Sequence, residues 1–234
     1  MMEDIKNTSD YDFFAKINQY IVEHSASHST EELIRFFNFL SPILDLGMGS
    51  GRHANYLKDE GFEVVGLDIS WELLKKSQFN KVVCARGERL PFRDKVFKSV
   101  LCSEVLDHLL DPESCLEEVS RVLADGGFAC FTLPCCNLPF KKIWVPLYRK
   151  LARIKPWPKE EYRHVFSSRE LLKLLNAHFE IEEVFYKDFT SILKWRYGWG
   201  YALDRFFSRV CQKFPFFKFF AGSILIKVRP RYSY

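Results

Sequence analysis

The stretch Ile-Leu-Asp-Leu-Gly-Met-Gly-Ser-Gly, residues 43–51, decides the fold of this chain. A short apolar run holds Asp45, glycines follow at positions 47, 49 and 51, and a helical pattern begins near Arg52. Glycine adopts positive φ and lets the backbone pass close to a ligand. A helix N-terminus presents unpaired N–H groups to that turn. The stretch therefore predicts a strand, a tight ligand-binding turn and the start of a helix.

Further strands and helices alternate on both sides of this stretch. Apolar strand patterns at 63–67, 81–84, 97–102 and 128–133 are separated by helical or loop patterns, and two more strands are expected at 179–186 and 222–228. This order predicts an α/β, Rossmann-like, doubly wound sheet of seven strands, mostly parallel with one antiparallel edge strand. Ligands of such sheets bind beyond the carboxyl ends of the strands.

The composition is that of a globular chain with two unusual segments. Of the 234 residues, 47% are hydrophobic and 27% charged, and the net charge is +4. Residues 138–161 and 190–221 are both basic and rich in aromatic residues, so the rest of the chain is net acidic. No apolar run reaches the length of a membrane span. Seven cysteines without metal-ligand spacing favour a reducing, cytoplasmic location and no metal site.

One domain of 1–234 is expected, with a core and attached lids. The predicted cofactor-binding core covers 41–137 and is preceded by N-terminal lid helices at 10–40. Two helical lid insertions are expected at 138–161 and 190–221, where the alternation of strands and helices stops.

Five motifs occur in order along the core. They are the glycine turn at 45–51, an acid at Asp68, Leu-Pro-Phe at 90–92, Ser-Glu-Val-Leu-Asp-His-Leu at 103–109, and Glu-Val-Ser-Arg-Val-Leu-Ala-Asp-Gly-Gly at 118–127. Together they resemble the class I S-adenosylmethionine-dependent methyltransferases. The likeness is to the small-molecule type that includes the ubiquinone and menaquinone biosynthesis enzymes. It is strong over 40–137, weak over 162–189, and does not cover the insertions.

The resemblance implies that S-adenosylmethionine is the cofactor. This molecule has no phosphate, and the glycine turn carries no phosphate-binding lysine. Asp45 is expected near the cofactor's ammonium group, and Asp68 is expected to accept both ribose hydroxyls. Ile69 is expected to pack on the adenine. The glycines Gly47, Gly49 and Gly51 let the backbone approach the ribose and methionine portions.

The adenine-side loop departs from the family pattern. Related enzymes often have aspartate where Arg86 stands, and arginine has no acceptor for the adenine amino group. Glu88 or a backbone carbonyl is expected to replace it. Leu90 and Ser103 complete the predicted cofactor contacts.

The predicted catalytic residues follow the fourth strand. His108 is the best candidate for a general base, because its pKa range suits that role. A structural role for His108 at a helix start is an equal alternative. Glu104 and Asp107 are weaker candidates, and His164 falls where related enzymes place a substrate-side loop.

The acceptor remains open between several classes. The preferred acceptor is a small or lipid-like molecule methylated on O or C, with peripheral membrane contact through the basic aromatic segments as one variant. A tRNA wobble-uridine methyltransferase is the first alternative, since a basic aromatic surface also suits RNA. A non-catalytic cofactor-binding module is the second. Plain packing of the aromatic residues explains the two segments equally well.

Overall fold

The protein is described by a computed structural model. The structure describes residues 37–77, 79–134, 166–187 and 221–231, together with Leu33, His164, Val210 and Phe214. The predicted lid helices at 10–40 and the insertions at 138–161 and 190–221 lie almost wholly outside the described residues. Those assignments stay predictions.

Seven strands and four helices make up the described core. The strands are β1 (Ile43–Leu46), β2 (Val64–Asp68), β3 (Val82–Cys84), β4 (Phe97–Ser103), β5 (Leu123–Pro134), β6 (Phe179–Lys187) and β7 (Ser223–Pro230). The helices are α1 (Arg52–Asp59), α2 (Trp71–Lys76), α3 (Pro112–Val122) and α4 (Ser168–His178). The strand order is β3-β2-β1-β4-β5-β7-β6.

The predicted seven-stranded, mostly parallel sheet is confirmed. Strands β1 to β5 pair in parallel with one another. Strand β7 is antiparallel to both β5 and β6, so the one reversed strand lies one place in from the edge. All four residues of β1 are buried, as a central parallel strand with both faces covered requires.

Three of the four helices begin at a residue whose side chain caps them. Ser70 caps α2, and Asp111 with Pro112 at the first helical position begins α3. Ser167 and Glu170 form a capping box at the start of α4. These local signals fix where the three helices begin.

The main difference from the expected strands lies in β5. The sequence predicts this strand from Phe128, but it begins at Leu123, which pairs with Phe97. The register then jumps, because Ser99 pairs with Phe128. Gly126 in this bulge has φ 75°, so the chain changes direction within the strand rather than before it.

Candidate functional site

The predicted site residues gather at the carboxyl ends of the parallel strands. The glycine turn follows β1, Asp68 ends β2, the connection 85–96 follows β3, and residues 104–110 follow β4. These strands are neighbours in the order β3-β2-β1-β4. Four separate pieces of sequence therefore meet at one edge of the sheet, where ligands of such folds bind.

The glycine turn is held against β2 and leaves open space at its centre. The N–H groups of Gly47 and Met48 donate to the Leu67 carbonyl oxygen at 2.7 and 3.0 Å. At Gly47, with φ 73°, an added Cβ would lie 2.2 Å from Cγ2 of Val105. At Gly49, with φ 56°, an added Cβ meets nothing within 4 Å. The first glycine is required by packing, whereas the second borders a space that a ligand can fill.

Asp68 connects the glycine turn with the start of α2. Its Oδ2 accepts from Gly49 N at 2.8 Å, and its Oδ1 accepts from Ser70 N at 2.8 Å. Burial raises the pKa of this carboxyl, and the backbone N–H groups of Ser70, Gly49 and Ile69 partly offset that rise. Each carboxylate oxygen has two acceptor positions. Asp68 therefore keeps capacity for a further donor, such as a ribose hydroxyl.

Asp45 is a buried carboxyl behind the turn. Gly51 caps α1 but has no side chain to accept a hydrogen bond, and the backbone N–H of Ala54 bonds to Asp45 instead. Burial raises the pKa of Asp45 to about 7, with a smaller contribution from Asp68. Within the part of the chain that the structure describes, Oδ2 of Asp45 has no hydrogen-bond partner. A buried acceptor without a partner fits a ligand that brings an ammonium group.

The other predicted cofactor contacts are partly engaged within the fold. Glu88 Oε1 accepts from Leu110 N at 3.3 Å and lies 3.4 Å from Arg86 Nη2. The Leu90 side chain is buried in the core, and Ser103 Oγ shares a 2.8 Å hydrogen bond with Thr132.

Ile69 is half-buried directly after Asp68. Its packing on the adenine stays a prediction.

The loop after β4 carries a second buried carboxyl, Asp107. Its side chain is 4% exposed, and neither of its oxygens has a hydrogen-bond partner among the described residues. Nε2 of His108 lies 4.0 Å from Oδ1 of Asp107. Burial raises the pKa of Asp107; His108 and His164 lower it in part, and Glu104 raises it further. Glu104 is exposed and has φ 58°.

The structure brings the predicted His164 to this loop from 55 residues away. Its backbone N donates to the Asp107 carbonyl oxygen at 3.0 Å, and its Nε2 donates to the Leu109 carbonyl oxygen at 3.1 Å. The ring stacks on Phe166, with centroids 5.6 Å apart. The three predicted catalytic residues therefore surround Asp107. His108 lies in a turn that ends before α3 begins, so it does not start a helix.

Two features of the site have no clear signal in the sequence. His53 is 7% exposed in the first turn of α1, and burial lowers its pKa to about 3, with smaller contributions from Arg52 and Lys187. Asp107 is one of several polar residues in its loop, and only its burial distinguishes it from Glu104. Sequence periodicity gives no information on burial in an irregular loop.

The described residues contain no group of three or more His, Cys, Asp or Glu arranged to hold a metal ion. Among them, no helix combines the length and the apolar character that crossing a bilayer requires.

Comparison with known proteins gives the same assignment for the core. Residues 44–131 match the family model described as a methyltransferase domain. An uncharacterized protein of Methanocaldococcus jannaschii is 38% identical over 86 residues, which cover 36% of this chain and 40% of that protein. The ubiquinone biosynthesis O-methyltransferase of Vibrio cholerae is 27% identical over 153 residues, covering 60% of this chain and 61% of the relative. The matched part thus spans less than two thirds of either relative.

A solved structure extends the likeness of the fold to nearly the whole chain. It is an S-adenosylmethionine-dependent methyltransferase of Thermotoga maritima, described as a possible histamine N-methyltransferase. The TM-score is 0.67 at 19% identity, with 94% of this chain and 97% of that chain covered. The fold and the motif series agree with the family model: residues 44–131 of this protein match a methyltransferase domain, and the chain has the fold of S-adenosylmethionine-dependent methyltransferases.

Proposed function

We propose that this protein transfers a methyl group from S-adenosylmethionine to an oxygen or carbon atom of a small or lipid-like acceptor. The observation that carries the proposal is the arrangement at the ends of β1 and β2. There the unpartnered oxygen of Asp45 and the open space at Gly49 adjoin the buried carboxylate of Asp68. This donor and acceptor set suits a cationic nucleoside without phosphate.

Each cofactor-side residue has a distinct part in this proposal. Asp45 attracts the ammonium group, Asp68 accepts from the two ribose hydroxyls, and Ile69 packs on the base. When bound, the cofactor supplies a methyl group on a positively charged sulfur. The glycine turn holds that end of the molecule in one orientation, and orientation supplies a large part of the catalysis of a direct displacement.

The acceptor side of the site is the loop after β4. We assign His108 as the group that takes the proton when the acceptor loses one, because its ring is half-buried and lies beside Asp107. The Asp107 carboxylate offsets the positive charge that the His108 ring then carries. His164 holds the loop through its bonds to Asp107 and Leu109. Glu104 is exposed where an acceptor would enter.

A lipid-like acceptor is supported by the sequence and by one relative. The segments 138–161 and 190–221 combine aromatic and basic residues, which suits an amphipathic anion or a membrane surface. The Vibrio cholerae relative is named for ubiquinone biosynthesis. A cytoplasmic location, with peripheral contact to a membrane, is part of this proposal.

Labelled S-adenosylmethionine tests the function directly. The protein is incubated with the labelled cofactor and a total lipid extract, and the label is sought in the organic phase. Asp68→Ala should lose the transfer, whereas Asp125→Ala, at an exposed carboxylate paired with Lys95, should retain it. Cofactor binding without label in any lipid or small-molecule fraction would contradict the acceptor class.

An RNA acceptor is the second candidate. The link between Asp68 and Leu-Pro-Phe at 90–92 is short, and this short link and the basic surface are the features that resemble the tRNA wobble-uridine enzymes. Label in tRNA, with binding that weakens steeply as salt rises, would favour this candidate.

A non-catalytic module is the third candidate, and the Arg86–Glu88 pair at the adenine side is what favours it. Calorimetry with S-adenosylmethionine tests whether the protein binds the cofactor, which this candidate requires. Binding without label transfer to lipid, small molecules or RNA would support it.

A further inference from the structure

The connection between β3 and β4 has an unusual structural requirement. These strands run in the same direction, so the chain must pass from the carboxyl end of β3 back to the opposite edge of the sheet, where β4 begins. Parallel crossovers usually contain a helix, whose backbone groups bond to each other. Residues 85–96 form no helix or strand. Their N–H and C=O groups therefore need partners from elsewhere.

Two side chains on the last turns of α3 supply those partners. Oε2 of Glu118 accepts from Leu90 N at 2.7 Å, and Nη2 of Arg121 donates to the Leu90 carbonyl oxygen at 3.1 Å. Nη1 of Arg121 donates to the Phe92 carbonyl oxygen at 2.8 Å. The Arg121 carbonyl in turn accepts from Lys95 N at 3.0 Å. We call these two side chains the Glu118–Arg121 clamp.

The clamp is rigid because its members also bind each other. Nε of Arg121 lies 2.7 Å from Oε1 of Glu118, and Nη2 lies 2.8 Å from Oε2, which is a bidentate pair. Asp94 adds a third bond, with Oδ1 at 2.7 Å from Nη1. These bonds from Arg121 hold the pKa of Glu118 below its usual value. Both side chains are mostly shielded, at 31% and 21% exposure.

The other end of the connection begins at the predicted ribose site. The N–H of Ala85 donates to the Asp68 carbonyl oxygen at 3.1 Å. Gly87 is buried, and a Cβ there would lie 3.3 Å from Sγ of Cys115 on α3. The segment from Asp68 to Phe92 is therefore fixed at its start by β2 and at its end by the clamp.

Arg86 occupies the position where related enzymes often have an acid, and Oε1 of Glu88 already accepts from Leu110 N. Recognition of the base then falls to the remaining acceptor capacity of Glu88 and to the N–H and C=O groups of the main chain that carries it. Main-chain groups discriminate between bases only while the chain is held in one conformation.

We propose that Glu118 and Arg121 are positioning residues for the adenine end of the cofactor, acting through the main chain of residues 86–92. This inference rests on the proposed function, because it takes S-adenosylmethionine as the ligand. In this inference, two residues on α3 set the affinity of the protein for the cofactor and its specificity for the base. Neither residue contacts the cofactor itself.

The test measures binding of S-adenosylhomocysteine and of S-inosylhomocysteine, in which an oxygen replaces the adenine amino group. Arg121→Met removes every donor of the clamp and keeps the length of the side chain. It should raise Kd for S-adenosylhomocysteine about tenfold, which corresponds to about 1.4 kcal/mol. The preference for S-adenosylhomocysteine over S-inosylhomocysteine should fall together with the affinity. A loss of stability alone would not change this preference.

Arg229→Met is the matched control. Arg229 is 38% exposed, pairs with Glu182, and donates to the Gly126 carbonyl oxygen at 2.8 Å, but it lies on β7 away from the connection. Its Kd and its base preference should stay within twofold of the unchanged protein. Equal binding by Arg121→Met and Arg229→Met would overturn the inference and leave the proposed function intact.

Two further results keep the test decisive. If Arg121→Met does not fold, Glu118→Gln replaces it in the test. Glu118→Gln weakens the bidentate pair and keeps an acceptor for Leu90 N. We expect a smaller loss of affinity and of base preference than in Arg121→Met. Slow amide exchange at Leu90, faster in Glu118→Gln, would support the clamp, and unchanged exchange and base preference would refute it. Absence of binding by the unchanged protein would remove the proposed function and this inference together.

Discussion

The Glu118–Arg121 clamp lies on the last turns of α3, and Asp107 lies in the loop before that helix. The two charged regions differ in how many of their polar atoms have hydrogen-bond partners. The clamp pairs its groups with main chain and with each other at 2.7–3.1 Å. Asp107 is more deeply buried, yet neither of its oxygens has a hydrogen-bond partner among the described residues. Buried polar groups are nearly always paired, so an unpaired one needs an explanation.

The difference indicates which region serves the fold and which serves a ligand. A fully paired cluster stabilises the chain that it holds. A buried carboxylate without partners makes the free protein less stable, and such groups concentrate at functional sites. Asp45 belongs to the second kind, since its Oδ2 also lacks a partner in the described part of the chain. The glycine turn shows the same division, with Gly47 required by packing and Gly49 bordering open space.

The largest effect is expected at Gly47, the first glycine of the turn. Gly47→Ala places a Cβ 2.2 Å from Val105 and should lower the free energy of unfolding by about 3 kcal/mol or more, as severe overpacking does. At Gly49 an added Cβ meets no atom, and only the φ of 56° is strained for alanine. Gly49→Ala should therefore lower the free energy of unfolding by about 1 kcal/mol.

Urea denaturation measures both glycine variants. Gly126→Ala is the control for Gly49→Ala, because it has a similar positive φ, open space and no place in the site. Gly49→Ala should lose cofactor binding and Gly126→Ala should keep it. The same binding in both would remove Gly49 from the site.

Replacing members of the two charged regions should change stability in opposite directions. Arg121→Met should lower the free energy of unfolding by about 2 kcal/mol, because several carbonyl and carboxylate groups lose their partner. Asp107→Asn should raise it by about 1 kcal/mol at pH 8, because it removes a charge from a buried position. Urea denaturation at pH 8 measures both.

The effect of Asp107→Asn on stability should depend on pH, because the pKa of Asp107 is raised. Because its folded pKa is raised, its contribution to stability is present below the ordinary carboxyl pKa and is lost as the pH rises through the folded value. The gain from Asp107→Asn should therefore shrink as the pH falls toward 4. A loss of stability in Asp107→Asn at pH 8 would show that the carboxylate serves the fold.

Cofactor affinity should depend on the ionisation of Asp45. The pKa of this carboxyl is raised to about 7, so it is mostly neutral at pH 6 and mostly charged at pH 8. If only the charged form binds the ammonium group, affinity for S-adenosylhomocysteine should rise about tenfold between these values. Calorimetry should find this slope absent in Asp45→Asn and retained in Asp59→Asn, at an exposed carboxylate of α1. A slope that survives in Asp45→Asn would assign it to another group.

The smallest effect is expected from an exposed ion pair outside both regions. Lys81 and Glu63 lie 3.3 Å apart with about 60% of each side chain exposed. Lys81→Ala should change the free energy of unfolding by less than about 0.5 kcal/mol and leave cofactor binding unchanged. A larger change, measured by urea denaturation, would mean that charge pairs in general stabilise this protein and that the clamp is not special.

The sequence alone determines the architecture and the cofactor edge, because those signals are local. Alternating strands and helices give the sheet, and capping residues such as Ser70 and Ser167 give the helix starts. The glycine turn and Asp68 lie at strand ends, and strand ends of a parallel sheet meet at one edge whatever the details of packing.

Only the tertiary structure determines which polar residues are paired. In the sequence, Glu118 and Arg121 look like ordinary charged residues on the surface of a helix. In the structure, their partners are backbone atoms about 30 residues earlier. Asp107 reads as one acid among several, until burial separates it from Glu104 and His164 arrives from a distant segment. Pairing and burial depend on which segments pack together, and a local pattern of residues does not encode that.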